Sequence, residues 1–310
     1  MSYLLIAIIA YSLIALNSAL DKIILNKSVP HPAVYCFYMG ILSFFGIIFA
    51  PFGRFWINGE QALLGLLVGA IFMVALFLLY RAVFSGEASR VGPLVGGLTP
   101  IFVSVLSFFF LGERLKFSQF LAFLFLMAGG LLIAWNFETG NQTKEERKKN
   151  RQKEWQIIKT SLLASLVFGI YYILLKHTYN HQNFVAGFVW TRLGSFLATF
   201  LLLISAKNRQ LIRESFGQSK IQAGALVLFN KSLSGFSFAI LNYAITIGSI
   251  TIINALQGVQ YVFLLVWVLL FSKFYPKILN EEFNNKILLQ KVFSIILIIV
   301  GLVLVGIARK

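Results

Sequence analysis

The feature that most constrains this chain is a series of long apolar runs separated by short polar segments. A run of about 20 apolar residues is long enough for one membrane-spanning helix. Ten such runs occur, with boundaries good to a few residues: Ser2 to Leu20, Ala33 to Pro51, Gln61 to Val83, Val91 to Leu111, Phe117 to Trp135, Ile157 to Leu175, Phe184 to Ala206, Ile221 to Ile247, Thr251 to Phe271 and Leu288 to Ile307. Because barrel strands would alternate polar and apolar residues, the continuous runs predict an all-α membrane protein with ten transmembrane helices.

Composition excludes the main soluble classes. Of the 310 residues, 58% are hydrophobic and 12% are charged, and a water-soluble fold cannot hide so much apolar surface. Cys36 is the single cysteine, so a disulfide scaffold is excluded. The net charge of +16 does not indicate a nucleic-acid partner, because the cations lie between apolar runs, as topology-setting loops require. The cluster Lys144 to Lys153 could also attract anionic membrane lipid.

The two halves of the chain look alike. One long polar stretch, residues 137–156, separates five runs from five. Ala82 and Gly86 in the first half correspond to Ala244 and Gly248 in the second, with the same offset of 162 residues. Since five spans is an odd number, the second copy must be inverted, as in alternating-access carriers. The predicted organisation is a first five-helix repeat (1–136), a basic polar linker (137–156) and a second five-helix repeat (157–310).

Two motifs carry a family resemblance. GEASRVGPLVGGLTPIFVSVLSFFFLGERL, residues 86–115, and MAGGLLI, residues 127–133, resemble the EamA-type repeat of the drug/metabolite transporter superfamily. The resemblance extends, twice, over nearly the whole chain and implies a carrier in the inner (cell) membrane; homodimerisation stays open. The second copy departs from the pattern. It has no Gly-Glu dyad after span nine and no proline matching Pro100, and Met39 stands in the first copy where the second has Arg192.

Two cations lie near the middle of apolar runs. Arg192 is eight residues past Phe184 and Lys231 is ten residues past Ile221, about 12 and 15 Å along their helices. Both positions are near the middle of a hydrocarbon core about 30 Å thick, and we expect them near one level. A mid-depth charge costs about 2.5–3.5 kcal/mol, and no Asp or Glu lies at mid-depth in any span to compensate it. The pair therefore indicates a site for an anionic group; binding of helix-end carbonyls, or snorkelling, is the alternative.

Polar and aromatic residues near these cations complete the candidate substrate site. Some flank the cations directly, and others share one face of span nine or lie on the related face of span four. The candidate substrate-binding residues are Lys231, Arg192, Gln257, Asn254, Tyr261, Asn230, Trp190 and Thr99. Hydrogen bonding between helices is the alternative for the uncharged ones. No metal site, cofactor or catalytic group is expected, because the histidines lie in or beside loops and no enzyme motif occurs.

These features predict a secondary transporter, not an enzyme. Its substrate would be a small polar metabolite, anionic or zwitterionic, moved by alternating access at the expense of a gradient or exchange. Proton-coupled efflux of cationic drugs is one alternative, although it usually needs a mid-membrane carboxylate that this sequence lacks. A membrane scaffold or intramembrane enzyme is the other.

The charge distribution predicts the orientation. Loops on the side of the N-terminus carry 6 cations, whereas the opposite loops, including Lys144–Lys153, carry 19. Since cytoplasmic loops are enriched in Lys and Arg, both termini are expected outside, although related carriers are often drawn with both termini inside. A pair of reporters fused after Lys310, one active only in the cytoplasm and one only outside, checks this. Signal from the cytoplasmic reporter alone would contradict it.

Overall fold

The structure is a computed structural model that describes residues 3–24, 31–85, 88–134, 144–216, 224–272 and 285–307. All regular secondary structure in these ranges is helical. The α-helices are α1 (Tyr3–Ile24), α2 (Pro32–Ser43), α3 (Gly59–Ser85), α4 (Ala88–Phe110), α5 (Phe117–Ala134), α6 (Lys144–His181), α7 (Phe184–Thr199), α8 (Ala206–Phe216), α9 (Gly224–Ile247), α10 (Ile250–Ala255), α11 (Gln257–Ser272) and α12 (Asn285–Ile307). Two 3₁₀ segments, Phe44–Phe52 and Phe200–Ile204, continue α2 and α7.

Each of the ten apolar runs coincides with one helix or with two consecutive helical segments. Among the described residues, seven stretches are long and apolar enough to cross a membrane, and Leu94–Phe110 and Phe117–Leu132 are shorter apolar helices. Large apolar side chains cover the outside of the bundle; Phe109 and Phe110, for example, are 73% and 74% exposed. Such a surface is typical of lipid contact. The prediction of an all-helical protein of the membrane type is confirmed.

Part of the segment predicted as a polar linker is helical. α6 begins at Lys144 and continues without interruption to His181, so residues 144–156 extend the sixth apolar run. Residues 137–143 of that linker lie outside the described ranges, as do residues 273–284 of the last loop.

Successive long helices alternate in direction, which gives the bundle two ends. We call the end at which α1 starts the N-terminal end and the end at which α6 starts the linker end. At the N-terminal end, the Gln61 side-chain amide at the start of α3 donates to the carbonyl of His181 at the end of α6 (3.3 Å). At the linker end, the hydroxyls of Tyr38 on α2 and Ser215 on α8 are hydrogen-bonded at 3.0 Å.

The packing has three parts. α1 lies against α9 and α11, α6 lies against α3 and α4, and α5 packs along α12. α7 packs on α3 and on the Phe44–Phe52 segment. α1 and α6 therefore each run between two helices of the other half of the chain, and the residues that they bury form the centre of the bundle.

Glycines set the distance between α3 and α7. A Cβ atom at Gly69 would collide with the backbone of Thr191 and Ser195, and one at Gly194 would collide with the backbone of Leu66. The Ser195 hydroxyl donates to the carbonyl of Gly69 (3.0 Å). Small residues allow helices to approach this closely in membranes. The crossing fixes α7 against α3 and thereby positions Arg192.

Replacing Gly69 by Ala is expected to destabilise the protein by about 1–3 kcal/mol, because the added methyl meets backbone atoms that cannot rotate away. Gly235→Ala is the matched control, since a Cβ atom at Gly235 meets nothing within 4 Å and α9 gains helix propensity. Thermal unfolding of the purified variants in detergent measures both. Equal melting temperatures for the two variants would show that the close approach of α3 and α7 does not require glycine at position 69.

Candidate functional site

Arg192 is a buried cation in the middle of α7. It lies eight residues after Phe184, about 12 Å from the N-terminal end of the helix, and only 8% of the residue is exposed. The aliphatic part of its side chain packs on Gly46 in the Phe44–Phe52 segment, where a Cβ atom would collide with Cγ of Arg192. The guanidinium group therefore extends from α7 toward the other helices of the bundle.

Three phenylalanine rings surround this guanidinium group. Its central carbon lies 4.6 Å from the ring centre of Phe238 on α9, 4.9 Å from Phe72 on α3 and 5.7 Å from Phe188 on α7. A cation over an aromatic face gains about 0.5–2 kcal/mol, more when both are desolvated. The rings partly compensate the buried charge without neutralising it.

The hydrogen-bonding capacity of the group is incompletely used. Among the described residues, Nε and Nη2 of Arg192 have no hydrogen-bond partner, and neither does the hydroxyl of Tyr171. Tyr171 lies on α6, fully buried, and its hydroxyl lies next to the guanidinium group. A buried donor left without an acceptor costs about 1–3 kcal/mol, and a charged donor costs more. Two polar groups from different helices thus present unsatisfied donors at one place.

A row of tyrosines continues from this place across the bundle. Tyr172 follows Tyr171 on α6, and Tyr11 on α1 lies within electrostatic range of both Tyr172 and Tyr261. The Tyr11 hydroxyl donates to the carbonyl of Ile253 (2.9 Å). We call Tyr171, Tyr172, Tyr11 and Tyr261 the tyrosine row. It connects Arg192 with the face of span nine that the sequence singled out.

Lys231 lies nearer the linker end than Arg192 does. It precedes Phe238, which contacts Arg192, by seven residues on α9, or about 10 Å. The expectation that the two cations share one level was wrong, because α9 begins at Gly224 and crosses α7 two turns beyond Lys231. The Lys231 ammonium lies 5.6 Å from the ring centre of Tyr35 on α2, which stacks on Tyr80 of α3 at 3.8 Å.

A histidine caps α2 at this same end. Burial, followed by the nearby Lys207 ammonium, lowers the pKa of His31. The neutral ring is thereby favoured, and its Nδ1 accepts a hydrogen bond from the amide of Ala33 (3.3 Å). The His31 ring also meets Phe84 of α3 edge to face at 5.4 Å.

The remaining candidate residues are distributed over several contacts. Gln257 and Tyr261 face α4, where a Cβ atom at Gly96 would collide with the Tyr261 hydroxyl. The hydroxyl of Thr99 and the amide of Asn254 each donate to a backbone carbonyl one turn earlier in their own helix, at 2.7 and 2.9 Å. Asn230 is buried beside Lys231. The site assignment for all of these residues stays a prediction.

Trp190 belongs to a set of contacts between the two halves of the chain at the N-terminal end. Its ring stacks on Phe55 at 5.5 Å, and its indole N–H donates to the Phe55 carbonyl (3.2 Å). Beside it, the Asn183 amide donates to the carbonyl of Arg54 (2.9 Å) and the Gln182 amide to that of Gln61 (2.9 Å). α2 packs far less on α9 at the linker end, within the described residues, than α3 packs on α7.

Sequence reasoning missed a cation that connects α6 to the end of α9. Lys176 lies near the end of α6, and its ammonium donates to the carbonyls of Ile245, Thr246 and Gly248 at 2.7, 3.0 and 2.9 Å. It thereby caps the end of α9, whose last carbonyls have no partner within the helix. Nearby, the hydroxyl of Thr251 on α10 donates to the Glu113 carboxylate (2.8 Å).

The phenylalanines and tyrosines around Arg192 were missed for a different reason. Aromatic residues are abundant throughout the apolar runs, so neither Phe72 nor Phe238 differs from its neighbours in the sequence. The adjacent pair Tyr171–Tyr172, inside an apolar run and at the depth of Arg192, was the one available signal.

Comparisons with known proteins agree with this architecture. Residues 1–135 match the EamA-like transporter family. Over 82 residues the chain is 38% identical to a protein of Sinorhizobium sp. named "Uncharacterized transporter in cobO 3'region"; the match covers 26% of this chain and 53% of that protein, so this chain spans about half the length of its relative. A solved structure, described only as a crystal structure of a protein, superposes with a TM-score of 0.67 at 14% identity and covers 97% of this chain and 93% of its own, which shows a shared fold.

The resemblance to EamA-type transporters is therefore confirmed, on residues 1–135. Together with the seven apolar stretches of the described residues, it identifies the chain as a multi-pass integral membrane protein.

Replacing Lys176 by Met is expected to lower the free energy of unfolding by about 2 kcal/mol, because three carbonyls at the end of α9 lose a charged donor. Lys159→Met on the same helix is the control, since Lys159 is exposed and lies over the ring of Trp155. Chemical or thermal unfolding in detergent gives the comparison. A Lys176→Met variant as stable as Lys159→Met would show that the cap is dispensable.

Proposed function

We propose that this protein is a secondary transporter that moves a small polar metabolite with an anionic or zwitterionic group by alternating access. The family match of residues 1–135 and the name of the Sinorhizobium relative support a transporter. The observation that carries the choice of substrate is the buried guanidinium group of Arg192, with two nitrogens unpaired among the described residues. An anion would supply the missing acceptors, whereas a cation would be repelled.

The packing supports a pair of inverted repeats. If the ten apolar runs form two five-helix copies, α1 corresponds to α6, α3 to α9 and α4 to α11. The contact of α1 with α9 then mirrors that of α6 with α3, and the contact of α1 with α11 mirrors that of α6 with α4. Both mirrored pairs are present. The α5–α12 contact, between the last helices of the two copies, is its own mirror image.

The two ends of the bundle are unequal, which supports alternating access. The mirror image of the α3–α7 contact would be a contact between α9 and α2. α3 packs tightly on α7, but α9 makes no comparable packing with α2 in the described part of the chain. In a carrier with inverted repeats, exchanging the two packings would close one end and open the other. This arrangement corresponds to a state closed at the N-terminal end, with Lys231 and Tyr35 between the helices that have not closed.

The charge of the site argues against the other transport class. Efflux of a cationic drug by proton exchange needs a group in the membrane that binds one cation or the other. The two charged side chains proposed for the site, Arg192 and Lys231, are both basic. Glu113 accepts a hydrogen bond from the Thr251 hydroxyl near the N-terminal end.

Flux through proteoliposomes tests the proposal. Labelled carboxylates, amino acids and phosphate esters are offered to the wild type and to Arg192→Gln, Lys231→Gln and the double variant. We expect at least tenfold slower flux in Arg192→Gln and further loss in the double variant, because the desolvated anion loses its counter-charge. Arg81→Gln, an exposed position at the linker end of α3, is the matched control and should transport normally.

Two results would contradict this function. One is transport of a quaternary-ammonium dye together with no transport of any anionic or zwitterionic compound. The other is wild-type flux in the double variant, provided that its yield and melting temperature match those of Arg81→Gln.

A further inference from the structure

We propose that the Nε–Nη2 edge of Arg192 and the hydroxyl of Tyr171 form a fork for a carboxylate, and that the substrate is a monocarboxylate with an apolar body. This inference rests on the proposed function and narrows its substrate class. It starts from which atoms of the guanidinium group are unpaired.

The two unpaired nitrogens of Arg192 are adjacent on one edge. Nε–H and the nearer N–H of Nη2 point in the same direction, which is the side-on geometry in which a guanidinium group donates two parallel hydrogen bonds to a carboxylate. Among the described residues neither atom has an acceptor, and both are buried. A simple negative charge could balance the guanidinium group from any direction. A carboxylate, which is planar and has two acceptor oxygens, matches the geometry of this edge.

The hydroxyl of Tyr171 supplies a third donor from another helix. It is buried, without a partner in the described ranges, and lies beside the guanidinium group. The remaining lone pairs of a carboxylate bound side-on would accept from it. Tyr171 differs in this respect from Tyr179, also on α6, whose hydroxyl already donates to the Asn242 side chain (2.8 Å).

The walls of the fork are apolar. The rings of Phe72, Phe188 and Phe238 lie within 4.6 to 5.7 Å of the guanidinium carbon, and in this state they cover it from solvent. If a ligand had several charged or hydroxyl groups, some of these groups would face the rings without a hydrogen-bond partner. A single carboxylate on an apolar body satisfies both the donors and the walls. Its binding requires the rings, including Phe238 on α9, to separate from Arg192.

The charge-conserving substitution Arg192→Lys tests the fork. An ammonium keeps the charge but cannot donate two parallel hydrogen bonds in a plane. Binding of labelled benzoate to purified protein in nanodiscs is measured at equilibrium, with no transport step. We expect benzoate to bind the wild type, to bind Arg192→Lys at least tenfold more weakly and to bind Tyr171→Phe about three- to tenfold more weakly. Arg81→Lys and the exposed Tyr243→Phe, as matched controls, should bind as the wild type does.

Related compounds show which charge and which shape of head group the site binds. Benzamide, of the same shape but uncharged, and phenylphosphonate, with a tetrahedral dianionic head, should compete at least tenfold less well than benzoate. Equal binding by Arg192→Lys and the wild type, or equal competition by phenylphosphonate, would overturn the fork. Absence of benzoate binding by the wild type would also overturn it. Arg192-dependent binding of laurate without benzoate would assign the site to a membrane fatty acid instead of a small transported carboxylate, and would overturn the proposed substrate.

The outcome separates this inference from the function it rests on. Benzoate binding that depends on Arg192, with no flux of any carboxylate, amino acid or phosphate ester in proteoliposomes, would retain the fork and reject the transporter. Flux of phosphate esters that depends on Arg192, with no benzoate binding, would retain the transporter and reject the fork.

Discussion

A positive charge held out of water, with no carboxylate partner in the described part of the protein, is the constraint on which the centre of this bundle depends. In a medium of low polarity, the guanidinium group of Arg192 needs either a counter-ion or several weaker contacts. The described part of the protein provides weaker contacts only: three aromatic faces and the proximity of Tyr171. These contacts stabilise the buried charge, but Nε and Nη2 still lack acceptors and can bind those of a ligand. The glycines of the α3–α7 crossing serve the same end, because they set how far the guanidinium group reaches into the bundle.

The same bundle contains a second cation whose needs are fully met. Lys176 has three carbonyl acceptors where α9 ends, so its charge is used in joining helices. The contrast with Arg192 is informative because both residues lie in membrane-type helices and neither has a carboxylate in hydrogen-bond contact among the described residues. A cation satisfied by its own protein is structural, whereas one with donors in reserve has capacity for a ligand. Hydrogen-bond satisfaction therefore separates the two roles better than charge or depth does.

Much of the architecture could be predicted because it follows from properties that are local in the sequence. The length and hydropathy of a run decide whether it becomes a membrane-type helix, and all ten predicted runs coincide with helical segments. The depth of Arg192 follows from counting residues along one helix. The relative level of Arg192 and Lys231 does not, because it depends on where α7 and α9 cross. The role of Lys176 was missed for a similar reason, since its acceptors come from a helix about 70 residues later in the chain. The continuation of α6 into the polar segment was missed because hydropathy marks where a helix could leave the membrane and gives no sign of where it ends.

The length of α6 has a mechanical consequence. Its 38 residues correspond to a rod of about 57 Å, nearly twice the thickness of the hydrocarbon core. One end of this rod carries Tyr171, beside the guanidinium group, and Lys176, bonded to the end of α9. The other end extends beyond the apolar part of the bundle. For a rigid rod of this length, a tilt of one degree displaces the far tip by about 1 Å. If α6 tilts as a rigid body, a small rotation at the centre of the protein therefore displaces these protruding turns by a distance that can be followed from outside the membrane.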